Sequence, residues 1–130
     1  MRRHAPLPAP EGAFDADAVW TLFEGKTERM RHVWRITCST LPGYMDGLKA
    51  AVEQSDWAAA ARHAHSVAGS AANFGAHALV ATARRIEDHA GVGQVPTAEV
   101  QVARTQFDAL CAAMTTWLDQ VSSPGAPQAG

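Results

Sequence analysis

Apolar residues recur every three or four positions over most of the chain, which is the spacing of one face of an α-helix. The clearest such run lies in residues 97–121, directly after Pro96. Its apolar positions are Val100, Ala103, Phe107, Leu110, Met114, Trp117 and Val121. The pattern predicts one long amphipathic helix over residues 97–121.

Three earlier segments show the same spacing. A helix over 56–73 is predicted to begin at Asp56, a residue type that caps helix N termini. A helix over about 76–90 ends where glycines follow. A helix over about 27–52 contains a Pro-Gly pair at 42–43, so we expect a kink or a local break there. The apolar positions of the 56–73 helix are Trp57, Ala60, Ala64, Val67, Ala71 and Phe74.

These segments predict an all-α fold, an antiparallel four-helix bundle with a short N-terminal cap helix. The cap helix is expected over about 15–24, and its apolar side chains would cover one end of the bundle. They are Val19, Leu22 and Phe23. We expect one bundle domain over residues 13–121. The flanking segments 1–12 and 122–130 are rich in proline or small residues, which predicts disordered tails.

Composition narrows the classes of function. The 130 residues carry 11 Lys and Arg against 13 Asp and Glu, and no cationic cluster appears that would bind nucleic acid. No apolar run reaches the ~20 residues of a membrane span. The charged first residues are not followed by the apolar segment of a secretory signal, so none is predicted. Cys38 and Cys111 are expected to be small buried apolar residues rather than a disulfide. Together these features favour a cytoplasmic protein.

One histidine has unusual neighbours on its helix. Four of the five residues that surround His65 at helical spacing are Ala or Gly. A glycine inside a helix costs roughly 1 kcal/mol against alanine, so clearance around the imidazole is the simplest reason for it. The five neighbours are Ala61, Arg62, Ala68, Gly69 and Ala72.

The helical angle predicts that this histidine is accessible. His65 lies roughly 125° from the centre of the apolar face, on the flank or the solvent side of the helix. His63 lies about 200° round the helix from His65 and cannot share its site.

Other interpretations of these residues stay open. His65 could be an ordinary surface histidine on an alanine-rich helix. The chain has 6 histidines, but no His/Glu pair at helical spacing points into the bundle, so we predict no metal site. Glu87 is expected to be a structural or partner-facing carboxylate without a partner for acid-base chemistry. Trp20 and Trp34 could belong to the core or be exposed, and an exposed aromatic on the cap helix could form part of a docking patch.

The segment that begins at His65 reads His65-Ser66-Val67-Ala68-Gly69-Ser70-Ala71-Ala72-Asn73-Phe74-Gly75-Ala76. It resembles the signature of histidine-containing phosphotransfer (HPt) domains, in which the histidine is followed by a hydrophobic residue, a lysine, a glycine, small residues and a helix-ending glycine. The resemblance covers about residues 14–120. Further matches at the family's spacing are Leu41, Leu48, Ala51, Leu79, Ala83, Ile86 and Glu87.

The resemblance implies that His65 is the phosphoacceptor of a phosphocarrier in a multistep two-component phosphorelay. It would shuttle a phosphoryl group between aspartates of receiver domains, on response regulators or on a hybrid histidine kinase. The carrier would be a monomer, would not be an enzyme by itself and would hold no cofactor, since Mg²⁺ is expected on the receiver. The implied phosphoryl and partner environment consists of Arg62, Ser66, Ala68, Gly69, Ala72 and Asn73. For Ser66 and Asn73, a role as plain helix surface remains equally open.

One position departs from the family pattern. Ala68 stands where the family usually has a lysine that offsets the charge of the phosphoryl group. Arg62 on the same helix, or Arg84 or Arg85 on the next, could replace that cation. The alternative function is a degenerate HPt-like module that binds a receiver or a kinase without carrying phosphate.

Overall fold

Four long helices surround one apolar interior in the computed structural model, which describes residues 4–122. Within that range the chain forms a 3-10 turn and five α-helices, and no β-strand. The elements are the 3-10 turn Pro10–Gly12, α1 Ala16–Leu22, α2 Thr27–Glu53, α3 Trp57–Ala72, α4 His77–Gly91 and α5 Thr97–Ser122. Helix α2 packs on α3 and α5, and α4 packs on the same two neighbours, which closes the predicted four-helix bundle.

Helix α3 forms the small-residue wall of the core. Four of the predicted positions are fully buried, whereas Trp57, predicted on the same face, is half-buried and Ala59 and Ala68 are buried in addition. Most of the buried side chains of α3 are no larger than a methyl group, so α2 and α4 can approach closely. Ala60, Ala64, Val67 and Ala71 are each 0% exposed.

Aromatic rings from the cap helix, from residues beside it and from the bundle helices pack together in the core. The Phe14 and Trp117 centroids lie 5.3 Å apart, and those of Trp34 and Phe74 lie 5.0 Å apart. Leu22 was predicted to cover the core but is 57% exposed, and Trp20 takes that place at 9%. The short helix turns Trp20 rather than Leu22 toward Trp117. Trp20 and Trp34 are both buried, so the tryptophan of the cap helix does not form the exposed docking patch that the sequence left open.

Helix α2 runs without a break through Pro42, so of the kink or local break expected there the local break does not occur. A proline removes the hydrogen bond to the carbonyl four residues earlier, here that of Cys38. Cys38 lies on an exposed side of α2, where water can satisfy a freed carbonyl. Packing of the buried face on α3 and α5 then holds the helix together.

Residues 4–12 lie along the bundle, unlike the disordered tail predicted over 1–12. The Trp117 indole N–H donates to the Leu7 carbonyl at 2.9 Å, and the Ala5 N–H donates to the Asp17 carboxylate at 2.8 Å. A buried indole N–H needs an acceptor, and the N-terminal segment supplies it. Residues 1–3 and 123–130 lie outside the described part of the chain. Ser122, predicted as the first tail residue, ends α5.

The two cysteines are free thiols on neighbouring helices, and Cys38 is exposed rather than buried as predicted. Although the residue is exposed, its thiol is partly shielded from water, which raises the pKa of Cys38, and a hydrogen bond with Cys111 lowers it in part. Burial also raises the pKa of Cys111, to about 11, and the nearby Cys38 and Asp108 add to that rise. Since the thiolate is the reactive form, neither thiol is activated as a nucleophile. None of the helices in residues 4–122 is both long and apolar enough to cross a membrane.

Candidate functional site

The position of α3 is set at both of its ends. At the start, the predicted N-cap residue Asp56 accepts a hydrogen bond from the Ala59 N–H at 3.2 Å. At the end, Gly75 adopts a φ of 59°, and its carbonyl accepts from the Asp15 N–H at 2.9 Å. A Cβ at Gly75 would lie 2.9 Å from the Asp15 carbonyl oxygen, so the turn needs glycine. This turn joins α3 tightly to α4.

His65 stands on the outer side of α3, and 76% of its side chain is exposed. This confirms the accessibility predicted from the helical angle. His63 lies on another flank of α3, half-buried against Gly47 of α2. The two histidines therefore do not share a site, as predicted.

Glu87 of α4 holds the imidazole of His65. The Nδ1 atom lies 2.9 Å from Glu87 Oε2, and 31% of the Glu87 side chain is exposed. An ionised carboxylate only accepts hydrogen bonds, so this contact is a hydrogen bond in the tautomer that carries the proton on Nδ1. In the neutral ring the lone pair is then on Nε2, which is a nucleophilic atom.

This partner was missed at the level of the sequence, where Glu87 has no acid-base partner. The two residues are 22 positions apart, on different helices. The apolar pattern of α4 alone shows only that Glu87 follows the buried Ile86. The contact between Glu87 and His65 depends on how α3 and α4 are aligned, which the pattern does not show. Its match to the spacing of the HPt signature was the only signal.

Small residues surround the imidazole as predicted. No atom lies within 4 Å of the place where a Cβ on Gly69 would stand, and Ala72 one turn further is exposed. Ala68 is buried at 2% exposure, so it contributes to the core rather than to the outer surface. A bulky partner can therefore approach the histidine over Gly69 and Ala72.

Cations near the site differ in their availability. Arg62 and Arg84 are exposed, and neither makes an ion pair or a hydrogen bond within residues 4–122. The Arg85 guanidinium donates to Thr82 at 3.1 Å and lies 3.8 Å from the Glu99 carboxylate. Arg85 is thus held at the α4–α5 side. Arg62, three residues before His65, is on the same side of α3.

The remaining predicted site residues are Ser66, which follows His65 in the middle of α3, and Asn73, which follows the last residue of that helix. Ser66 is half-buried, and Asn73 is exposed at the C-cap of α3. Neither side chain forms a hydrogen bond with another described residue. In the described range, no three His, Cys, Asp or Glu side chains are grouped so that they could hold a metal ion.

Comparison with known families gives one match. The family model described as "Hpt domain" matches residues 32–123, which span all of α3 and α4 and therefore include His65 and Glu87. No curated protein and no solved structure gives a significant match to the chain.

Proposed function

The chain belongs to the Hpt domain family, whose members are phosphotransfer modules of phosphorelays, and from that premise we propose that it is a histidine phosphocarrier. It shuttles a phosphoryl group between aspartates of receiver domains through His65. Its partners are receiver domains of response regulators or of a hybrid histidine kinase.

The observation that carries the proposal is that the imidazole of His65 is both exposed and held by a carboxylate. His65 is 76% exposed, and its Nδ1 atom is held by Glu87 at 2.9 Å. The ring is therefore oriented through Nδ1, and Nε2 is the nitrogen left for the reaction on a largely exposed side chain. An ordinary surface histidine needs neither an orienting carboxylate nor a clearing of glycine and alanine beside it.

In the transfer step, the Nε2 lone pair attacks the phosphorus of an aspartyl phosphate. The N–P bond forms, the P–O bond to the aspartate breaks, and the aspartate leaves as a carboxylate. Transfer to the next receiver is the same step in reverse. Two negative charges come with the phosphoryl group at neutral pH, and the Mg²⁺ that offsets them belongs to the receiver. The chain therefore needs no cofactor and does not turn over as an enzyme by itself.

The surface around the ring supports docking of a whole domain. A receiver must bring its aspartate within bonding distance of Nε2, so side chains beside the imidazole must be short. Gly69 and Ala72 meet this condition on the exposed face of α3.

A second candidate is a module that binds a receiver or a kinase without carrying phosphate. Ala68 favours it, because this position is uncharged and buried at 2% exposure where the HPt signature has a lysine. Arg62 is the nearest replacement by helical spacing, and it is not engaged elsewhere within residues 4–122.

Label transfer separates the two candidates. A receiver carrying ³²P on its aspartate is mixed with the wild-type protein, with His65→Gln and with His63→Gln. The carrier predicts acid-labile label on the wild type and on His63→Gln, and none on His65→Gln. Binding of the receiver by all three proteins without any label would contradict the carrier and establish the module.

A further inference from the structure

We propose that Cys38 of α2 and Cys111 of α5 form a disulfide with each other when the protein meets a small-molecule disulfide, and that this bond links the two helices and stabilises the bundle. The cysteines lie between α2 and α5, whereas the contact of His65 with Glu87 lies between α3 and α4. The inference therefore goes beyond the proposed function and does not depend on it.

A hydrogen bond between α2 and α5 shows which residues of the two helices lie side by side. The Arg31 guanidinium donates to the Leu118 carbonyl at 3.3 Å. Arg31 stands about two helical turns before Cys38, and Leu118 stands about two turns after Cys111. In an antiparallel pair of helices, this contact places the two cysteines level with each other.

An ion pair on the other side of the cysteines gives the same alignment. Asp46 Oδ1 lies 3.6 Å from Arg104 Nη1. Asp46 stands about two turns after Cys38, and Arg104 stands about two turns before Cys111. The two contacts therefore show that α2 and α5 run antiparallel, with the cysteines opposite each other midway between them.

The two thiols are also in direct contact, because they form a hydrogen bond with each other. Cys38 lines a surface groove between α2 and α5, together with Trp34, Thr115 and Leu118. A disulfide needs sulfur atoms about 2 Å apart on neighbouring backbones. Since the helices already bring the thiols together, we expect rotation of the two side chains to complete the approach.

The surroundings of the thiols favour a long-lived bond rather than a quickly formed one. Burial raises the pKa of Cys111 to about 11, and the nearby Cys38 and Asp108 add to the rise, although Arg104 opposes it. Partial shielding from water raises the pKa of Cys38. Thiolates are therefore scarce at neutral pH, so the bond forms slowly. The same property makes each sulfur a poor leaving group, so the finished disulfide resists exchange with other thiols.

The bond forms in two exchange steps. The exposed Cys38 loses its proton, and its thiolate attacks one sulfur of the small disulfide, whose S–S bond breaks and releases one small thiolate. Cys111 then loses its proton and attacks the Cys38 sulfur of this mixed disulfide, which releases the second small thiolate. The released thiolates take up the two protons. In total, two protein thiols are oxidised and one small disulfide is reduced to two thiols.

The test exposes the full-length protein to glutathione disulfide at pH 8.5 and then blocks the remaining thiols with an alkylating reagent. Cys38→Ser is the matched control, because it removes one partner at an exposed position where the fold should tolerate serine. Cys111→Ser shows what the exposed thiol does without its partner. Intact mass, peptide mapping and non-reducing electrophoresis identify the products, and thermal unfolding is recorded before and after reduction with dithiothreitol.

We expect the wild type to lose both free thiols, to stay monomeric and to give one linked pair of peptides that contain Cys38 and Cys111. Its midpoint of thermal unfolding should rise by about 10 °C, because the bond closes a long loop of the unfolded chain, and dithiothreitol should reverse the rise. Cys38→Ser should show no rise. Cys111→Ser should retain glutathione on Cys38.

Four results would overturn the inference in the wild type. They are glutathione retained on Cys38 beside a free Cys111, a dimer linked through Cys38, two thiols that both stay free, and a bridge that leaves the unfolding midpoint unchanged. The test uses neither a receiver nor His65. Its failure would leave the proposed carrier intact, and failure of label transfer to His65 would leave the disulfide intact.

Discussion

The two flanks of α3 each combine a histidine with a glycine, and they do so in opposite ways. On the α2 side, a Cβ on Gly47 would stand 2.8 Å from two ring atoms of His63, so the missing side chain makes room for a ring that packs there. On the α4 side, Gly69 has no neighbour within 4 Å of its Cβ position, and His65 remains 76% exposed. The space beside Gly47 is occupied by the His63 ring of the same molecule. The space beside Gly69 is empty and is open to another molecule.

This difference shows how the same residue types acquire different roles. His63 contributes packing between two helices, and its glycine is explained by that contact. His65 contributes little packing, so its glycine has no internal explanation. We call the side with His65 and Gly69 the open flank, and the side with His63 and Gly47 the closed flank. The proposed function belongs to the open flank, and substitutions on the closed flank serve as controls for it.

The largest effect is expected from filling the open flank. Gly69→Leu should reduce label transfer from a phosphorylated receiver by about tenfold or more, since about 1.4 kcal/mol of lost complementarity gives that factor. The fold should tolerate leucine because the position is open. Loading by phosphoramidate, a donor of a few atoms, should be unchanged, and circular dichroism checks the fold. Unimpaired transfer would mean that receivers do not approach over Gly69.

A double-mutant cycle sharpens the contrast on the closed flank. We expect a coupling of about 1 kcal/mol between Gly47→Ala and His63→Ala, because the new methyl group collides with the ring only when the ring is present. The free energies of unfolding come from urea denaturation of the four proteins. The matched cycle with Gly69→Ala and His65→Ala should show coupling near zero. Equal coupling on both flanks would remove the distinction drawn between them.

A smaller effect is expected for Gly69→Ala alone. It should stabilise the protein by about 0.5–1 kcal/mol, since alanine is the better helix former and meets no atom. The shift in the urea midpoint measures it. A loss of stability would show that Gly69 has a structural role that the open space does not reveal.

The smallest effect on stability is expected for Glu87→Gln. The pair with His65 is exposed, so its contribution to folding is about 0.5 kcal/mol or less and falls with added salt. Thermal unfolding at low and high salt measures it. A much larger loss would make Glu87 a structural residue and would weaken its assignment to the chemistry of His65.

Much of the fold could be predicted because helical spacing is a local property. Most of the buried positions of α3, its N-cap at Asp56 and the exposed side of His65 follow from residues within a few turns of one another. Errors arose where long-range packing decided the outcome. The exposed Cys38 and the continuous helix at Pro42 depend on what α2 packs against, and the burial of Trp20 depends on Trp117, far along the chain.

The site was predictable to the same extent. The acceptor and its small neighbours lie within one helix and could be found there. The orienting carboxylate could not, because Glu87 meets His65 only through the alignment of two helices. The ion pair of Arg85 with Glu99 could not be predicted for the same reason, because Glu99 is on a third helix.

The bond from Trp117 to the Leu7 carbonyl has a consequence for anyone who shortens this chain. The apolar pattern places the domain boundary at Ala13. A protein that starts there would lack the Leu7 carbonyl, which accepts the hydrogen bond of the Trp117 indole. Leaving a buried donor unmatched costs about 1–3 kcal/mol, a sizeable part of the stability of a small domain. The smallest dependable folding unit therefore begins upstream of Leu7, before the first helix has started.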